Sequence, residues 1–317
     1  MQRYIMRRLI LAIPTFILAS SLVFSMIRMM PGDVLFTLLE ESLVNMPLTE
    51  IDKVKKEFGF DKPIYYQYGV FLGGVMTGNL GTSLRDREPV MKKIISRLPI
   101  TFELAILAQM ISLSIAIPIG VISAIRQDTF LDYFLRSLAI LKISVPSFWL
   151  GTLAVVLPAI YFNWIPPMVY TPLTVDPATN LKQFIIPATI LGLGLAGRVM
   201  RMVRTMMLEV MRQDYIRTAW AKGLKEQTII YRHALKNALI PVVTVVGLEI
   251  AVLIGGTVVV ESIFSLPGMG RLFIEALTFR DYPVIQGVNV VVSLWVILIN
   301  LLVDISYAFL DPRIRYD

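Results

Sequence analysis

The sequence predicts an all-α, polytopic membrane protein of six transmembrane helices with both termini in the cytoplasm, and three observations carry that prediction. Of the 317 residues, 56% are hydrophobic and the mean hydropathy is +0.69, which is too apolar for an ordinary soluble domain. Six apolar runs are each long enough to cross about 30 Å of hydrocarbon, which takes about 20 helical residues. Lys and Arg gather in alternate connections, as orientation by cytoplasmic cations requires.

The elements follow in order. The first span covers residues 9–27. Arg3, Arg7 and Arg8 precede it as they would in a signal peptide, but its apolar run outlasts the usual run of about 7–15 residues. Arg28 then follows without a small-residue cleavage site, so residues 1–30 read as a cytoplasmic tail and an uncleaved first helix. Residues 31–99 form an extracytoplasmic region in which nine acids balance nine bases, a length at which loop charge orients weakly. Within it, residues 48–58 read as a helix with Thr49 as N-cap, and the Gly-rich stretch 73–81 reads as turns.

Residues 100–317 form a five-helix core with spans at 100–125, 137–162, 184–203, 238–260 and 284–310. Residues 126–136, the loop 205–237 and the tail 311–317 lie inside, and residues 163–183 and 261–283 lie outside. Pro14, Pro118, Pro146, Pro158 and Pro187 fall within spans. Each frees a backbone carbonyl and kinks its helix, which neighbouring helices can compensate.

Composition excludes several chemistries. There is no cysteine, and the lone histidine is His233, so disulfides, thiolate nucleophiles and multi-histidine metal sites are ruled out. No metal ligand set and no catalytic set is expected. The net charge of +7 is the cytoplasmic excess of a membrane protein, not a nucleic-acid footprint, because the aromatics lie in apolar runs and at their ends. The run Gly192-Leu193-Gly194-Leu195-Ala196-Gly197 matches a dinucleotide fingerprint but sits in mid-span, where small residues serve close helix packing instead. A phosphate-binding GxxxxGK[ST] loop is lacking, so this chain binds no ATP through one.

Arg198, Arg201 and Arg204 line one face at the end of the fourth span. They read as anchors reaching cytoplasmic phosphates, in preference to a voltage sensor. Charges inside spans mark function by default. Lys142 lies two turns into the third span, Glu249 near the middle of the fifth, and Asp304 towards the cytoplasmic end of the sixth. A Lys142–Glu249 pair is expected, and these three residues are the candidate pore or intramembrane polar groups.

Between the fourth and fifth spans, residues 209–241 carry six cations against three anions. Each such charge costs roughly 2.5–3.5 kcal/mol at the centre of a membrane helix, so this stretch is a cytoplasmic loop, long enough to dock a partner.

Arg217-Thr218-Ala219-Trp220-Ala221-Lys222-Gly223-Leu224, followed by His233-Ala234-Leu235-Lys236-Asn237-Ala238-Leu239-Ile240-Pro241, resembles the cytoplasmic signature loop of ATP-binding-cassette importer permeases. The peptide and nickel branch is the most similar. Arg217-Thr218 replace the usual Glu-Ala, while Ala219 and Gly223 keep the register. The resemblance continues through Pro31-Gly32-Asp33, Gly78-Asn79-Leu80-Gly81-Thr82-Ser83, Pro146-Ser147-Phe148-Trp149-Leu150-Gly151, Gly255-Gly256, Val260-Glu261-Ser262-Ile263-Phe264, Pro267-Gly268-Met269-Gly270, Arg280-Asp281-Tyr282-Pro283 and Asp311-Pro312-Arg313.

It implies the type I importer permease fold, in the plasma (inner) membrane of a bacterium or archaeon. The implied partners are a second homologous permease subunit, cytoplasmic ATPase subunits that bind the ATP and Mg, and an extracytoplasmic solute-binding protein. Membrane lipid surrounds the chain, and nucleic acid is not a partner. Arg217, Ala219, Ala221, Lys222, Gly223 and Leu224 are the implied coupling residues. Ala219 and Ala221 permit close approach, and Gly223 can end the helix in a left-handed conformation. Glu261, Pro267, Gly268, Met269 and Gly270 belong to a loop that either reaches into the binding protein or packs re-entrantly on its own bundle.

The implied function is a non-catalytic permease subunit for di- or oligopeptides, working by alternating access. An ion-coupled secondary transporter using Glu249 and Asp304 is the alternative, and a membrane-embedded enzyme is a weaker one for want of a catalytic set.

Overall fold

A computed structural model describes residues 2–29, 56 and 59–310. The expected helix at 48–58 with its Thr49 cap, the Pro31-Gly32-Asp33 motif and the tail from Asp311 lie outside the described residues.

The described residues form helices joined by loops: α1 (Gln2–Arg28), α2 (Ile64–Thr77), α3 (Val90–Ile125), α4 (Phe130–Ser144), α5 (Ser147–Phe162), α6 (Pro177–Met211), α7 (Asp214–Ala221), a π-helical turn (Thr228–Ala234), α8 (Leu235–Gly256), α9 (Val258–Ile263), α10 (Met269–Thr278) and α11 (Tyr282–Leu310). Among the described residues five helices are long and apolar enough to cross a membrane, and the α4–α5 pair makes a sixth span if its two halves are counted together.

That pair corrects the expectation of one kinked helix over 137–162, because α4 and α5 meet at 88°. Val145 is extended (φ −88°, ψ 119°) before Pro146, the conformation that a following proline ring imposes. Pro14, Pro118, Pro158 and Pro187 stay inside continuous helices. The stretch 73–81 is also corrected, since Gly73 and Gly74 belong to α2 and the turn begins only at Gly78 (φ +75°).

The longest helices, α3 and α6, pack along one another and make the spine. Close packing on α6 depends on missing side chains: a Cβ on Gly192 would lie 2.6 Å from the Ala108 carbonyl oxygen of α3, and one on Gly197 2.9 Å from the Ala139 carbonyl oxygen of α4. The dinucleotide-like run is therefore a packing surface, as its position in mid-span implied.

Among the described residues, three larger apolar clusters lie along the spine and at its ends. One joins Val121, Val199, Val203 and Met207 to Ile216, Ala219 and Ile229 at the end where α7 sits. A second, at the opposite end, joins Leu80, Val90 and Ile94 to Met269, Leu272 and Ile285. A third, around Leu104, Phe184 and Phe264, lies along α3, α6 and the α9–α10 connection.

Polar ties fasten the ends. Asp281 accepts from the Ser83 hydroxyl at 2.5 Å and the Leu84 amide at 3.1 Å, so two motifs nearly two hundred residues apart meet. At the first helix, the Arg28 guanidinium stands 4.8 Å from the Phe60 ring centroid and 5.5 Å from that of Tyr282, a desolvated cation held by aromatic faces.

Candidate functional site

Two features carry chemistry. The first is α7, a short helix outside the apolar spans. Its sequence places Ile216 and Ala219 three apart, on one face, and both are buried in the cluster with Ile229 and Ala234. Burying a side chain such as Ile216 contributes about 1.5–3 kcal/mol, and Asn237 Nδ2 donates to the Tyr215 hydroxyl at 2.9 Å to hold the same contact.

This corrects the expected role of Ala219, whose small side chain lets α7 approach its own bundle instead of a partner. The opposite face is open: Arg217, Ala221, Lys222, Gly223 and Leu224 are exposed, as are Tyr215 and Trp220. Arg217 and Asp214 pair loosely across that face at 3.2 Å. The helix ends as its glycine implied. Gly223 has φ +72°, its amide donates to the Trp220 carbonyl at 2.9 Å, and the Leu224 amide donates to that of Ala219 at 3.4 Å. These two bonds are the Schellman pattern, which requires a left-handed residue at that position.

The second feature is a cavity of about 260 Å³ beside the α4–α5 break, lined by Lys142, Ser147, Gly194, Arg198 and Glu249 among apolar neighbours. The expected Lys142–Glu249 pair is not formed. Glu249, only 7% exposed, accepts instead from Arg198 Nε at 2.8 Å. Arg198 sits one helix away at a depth from which its long side chain reaches inward, so a residue read as a lipid anchor is a carboxylate partner.

Arg204 repeats the lesson. Its Nε and Nη2 donate to the two oxygens of Asp132 at 2.8 and 2.6 Å, and Ser123 and the Asp128 amide complete the shell of that buried carboxylate. Asp304 pairs with Arg8 at 3.1 Å, joining α11 to α1. Both carboxylates of the ion-coupled alternative therefore have arginine partners.

Five residues of the loop expected either to reach into a binding protein or to pack re-entrantly lie against its own chain. Glu261, Gly268, Met269 and Gly270 lie in the packed interior and Pro267 is partly covered. Their burial agrees with the re-entrant reading of these five residues. Glu261 accepts from the hydroxyls of Thr101 at 2.7 Å and Thr257 at 2.9 Å and from the Arg271 amide at 3.1 Å. Burial pushes its pKa above the ordinary 4.5, and these donors pull it back. Its short distances to Gly268 and Gly270 give the reason for the glycines: the turn wraps a carboxylate and has no room for a Cβ.

The sequence reading gave Arg198 a different role and missed Asp132 and Ile216, and these three matter most. An intramembrane Glu demands a cation, which was a usable signal for Arg198. The burial of Asp132 and Ile216 had no local signature.

Residues 116–316 match the family model described as the binding-protein-dependent transport system inner membrane component, and residues 1–105 match the model for the N-terminal part of such membrane components. Over 317 residues the chain is 41% identical to a Brucella abortus (strain 2308) protein provisionally named as a peptide transport system permease, with both chains covered in full. It is 39% identical to the dipeptide transport system permease protein DppB of Escherichia coli (strain K12), covering 100% of this chain and 99% of that one. Its fold is similar to a chain of the MetNI methionine ABC transporter in an inward-facing conformation, with a TM-score of 0.58 at 18% identity over 71% of this chain and 99% of that one. An amino acid ABC transporter gives 0.52 at 14% identity, over 69% and 94%.

Proposed function

We propose that this chain, which belongs to the family of binding-protein-dependent transport system inner membrane components, carries short peptides inward as one permease subunit of an importer driven by separate ATPases. The observation that carries the reading is α7: a helix seated on the bundle by Ile216 and Ala219, with its outer face from Arg217 to Leu224 open. A rigidly seated helix with an exposed face can pass a push from a docked ATPase into α6 and α8, whereas a mobile loop would absorb it. The names of the full-length relatives support the peptide cargo.

On this reading the chain performs no covalent chemistry. ATP and Mg belong to the ATPase subunits, a second homologous permease completes the pore, a solute-binding protein delivers the cargo, and the plasma membrane is the location. The buried Glu261 loop shapes the outer mouth of the pore from within and does not enter the binding protein. Pairing of Glu249 with Arg198 and of Asp304 with Arg8 disfavours ion-coupled transport through those carboxylates.

The test is reconstitution of the copurified complex in proteoliposomes. Uptake of radiolabelled Ala-Ala is expected only with ATP and the binding protein present. Uptake driven by a proton or sodium gradient without ATPase subunits would overturn the reading.

A further inference from the structure

The proposed function leaves two charged atoms unexplained. Lys142 Nζ and Glu249 Oε2 are each buried with no hydrogen-bond partner among the described residues, and both residues line the cavity of about 260 Å³ beside the α4–α5 break. An unpaired ammonium and a half-paired carboxylate at membrane depth are costly unless something supplies the missing partners.

The wall between them adds a third feature. Ser147 opens α5 and lines the same cavity. The first bond of that helix runs from the Leu150 amide to the Pro146 carbonyl at 3.3 Å, so the amides of Ser147, Phe148 and Trp149 have no helical acceptor. The positive end of a 16-residue helix therefore stands at the cavity beside an unpaired ammonium, and such broken-helix ends favour anionic groups.

The unmet needs are opposite in sign. Lys142 and the start of α5 lack an anion, and Glu249 Oε2 lacks a donor, its other oxygen being held by Arg198. The complement of that arrangement is a zwitterion. The rest of the lining, including Ile190 and Val252, is apolar and has no polar group to select among side chains.

We propose that this cavity is a transit site for a short zwitterionic peptide, with its terminal carboxylate against Lys142 and the α5 N-terminus and its terminal ammonium against Glu249 Oε2. The proposal rests on the peptide-importer reading and places recognition on the ends of the cargo, which every unmodified peptide shares. Arg198 is a positioning residue that holds the Glu249 carboxylate.

The experiment measures binding of Ala-Ala, Ala-Ala-amide and N-acetyl-Ala-Ala to the assembled permease–ATPase complex in nanodiscs without the solute-binding protein, by saturation-transfer NMR titration. Wild type is expected to bind Ala-Ala about tenfold more tightly than either blocked peptide, the scale of losing one charge-assisted contact. Lys142→Met is expected to weaken Ala-Ala about tenfold while leaving the amide unchanged, and Lys142→Arg to restore it. Glu249→Gln is expected to weaken Ala-Ala while leaving the acetylated peptide unchanged.

Equal binding of all three peptides to wild type overturns the site, and this arm needs no variant to fold. Variants that weaken all three ligands alike also overturn it, since that pattern belongs to a purely structural role or to a Lys142–Glu249 pair formed in another conformation. ATP-driven uptake by the same purified complex, reconstituted in proteoliposomes with the solute-binding protein added, separates the two readings. If wild type imports no peptide, the functional reading falls and the site with it. Import that persists without the ligand-matched losses removes the site alone.

Discussion

Asp132 is fully buried, and Arg204 meets it with two parallel bonds while Ser123 and the Asp128 amide take further positions on its oxygens. Planar, bidentate contact is what guanidinium provides and ammonium does not. Removing one partner leaves the other charge buried without compensation, which typically costs 3–5 kcal/mol, more than the intact pair contributes. Arg204→Met is therefore expected to lower stability by about 3 kcal/mol, and Arg204→Lys to recover only part of it. Adding Asp132→Asn to Arg204→Met should recover most of the loss, because the orphaned charge is then gone. Denaturant titration of the detergent-solubilised protein measures this double-mutant cycle, and a strictly additive double variant would show that the two residues do not act as a pair.

At the scale of elements, α7 turns on one residue. Gly223 has a positive φ, yet beyond its own chain neighbours no described atom lies within 4 Å of where its Cβ would be. Backbone strain, and not crowding, is therefore what restricts the position, and L-residues other than Asn and Asp pay about 1–2 kcal/mol there. Gly223→Asn should preserve the helix end and ATP-driven uptake, whereas Gly223→Val should let α7 unwind at its last turn. Gly223→Glu adds a negative charge beside the basic face and should abolish ATPase copurification while leaving membrane insertion intact. Equal copurification of all three variants would remove the helix end from the coupling path.

The same helix marks how far elements could be read without coordinates. Its charge, its register and its terminal glycine were legible, because local conformation and solvation decide them. The direction of Ala219 was not, because which face of a short helix is buried depends on the cluster it meets. The α4–α5 break was half legible: each proline in a span signals a freed carbonyl, but only at Pro146 does the chain turn instead of bending, and the packing of the halves on α6 and α9 selects it. Glu249 was visible as a charge at membrane depth and Arg198 as a cation closing the fourth span, but their pairing joins residues fifty-one positions apart, beyond any local pattern.

The whole molecule assigns its ends to opposite sides of the membrane, with the Ile216 cluster at one and the Leu80–Met269 cluster at the other. The absence of native cysteine makes that arrangement directly measurable, because any introduced thiol is the only one in this chain. Ala221→Cys places a thiol on the exposed face of α7, Ala219→Cys on its buried face, and Glu88→Cys on the exposed loop at the far end. A membrane-impermeant maleimide should label position 221 in inverted vesicles alone and position 88 in right-side-out vesicles alone. Stripping the ATPase subunits should speed labelling at 221, since the proposed partner covers that face, and should leave 219 unreactive, since its own bundle covers it. The added sulfur at 219 costs about 1 kcal/mol or more of overpacking, so Arg217→Cys, exposed like 221, serves as a second reporter free of that strain. If 219 reacts as fast as 221, α7 is not seated as described and cannot transmit a push. If 221 and 217 ignore the removal of the ATPases, the coupling surface lies elsewhere on the cytoplasmic face.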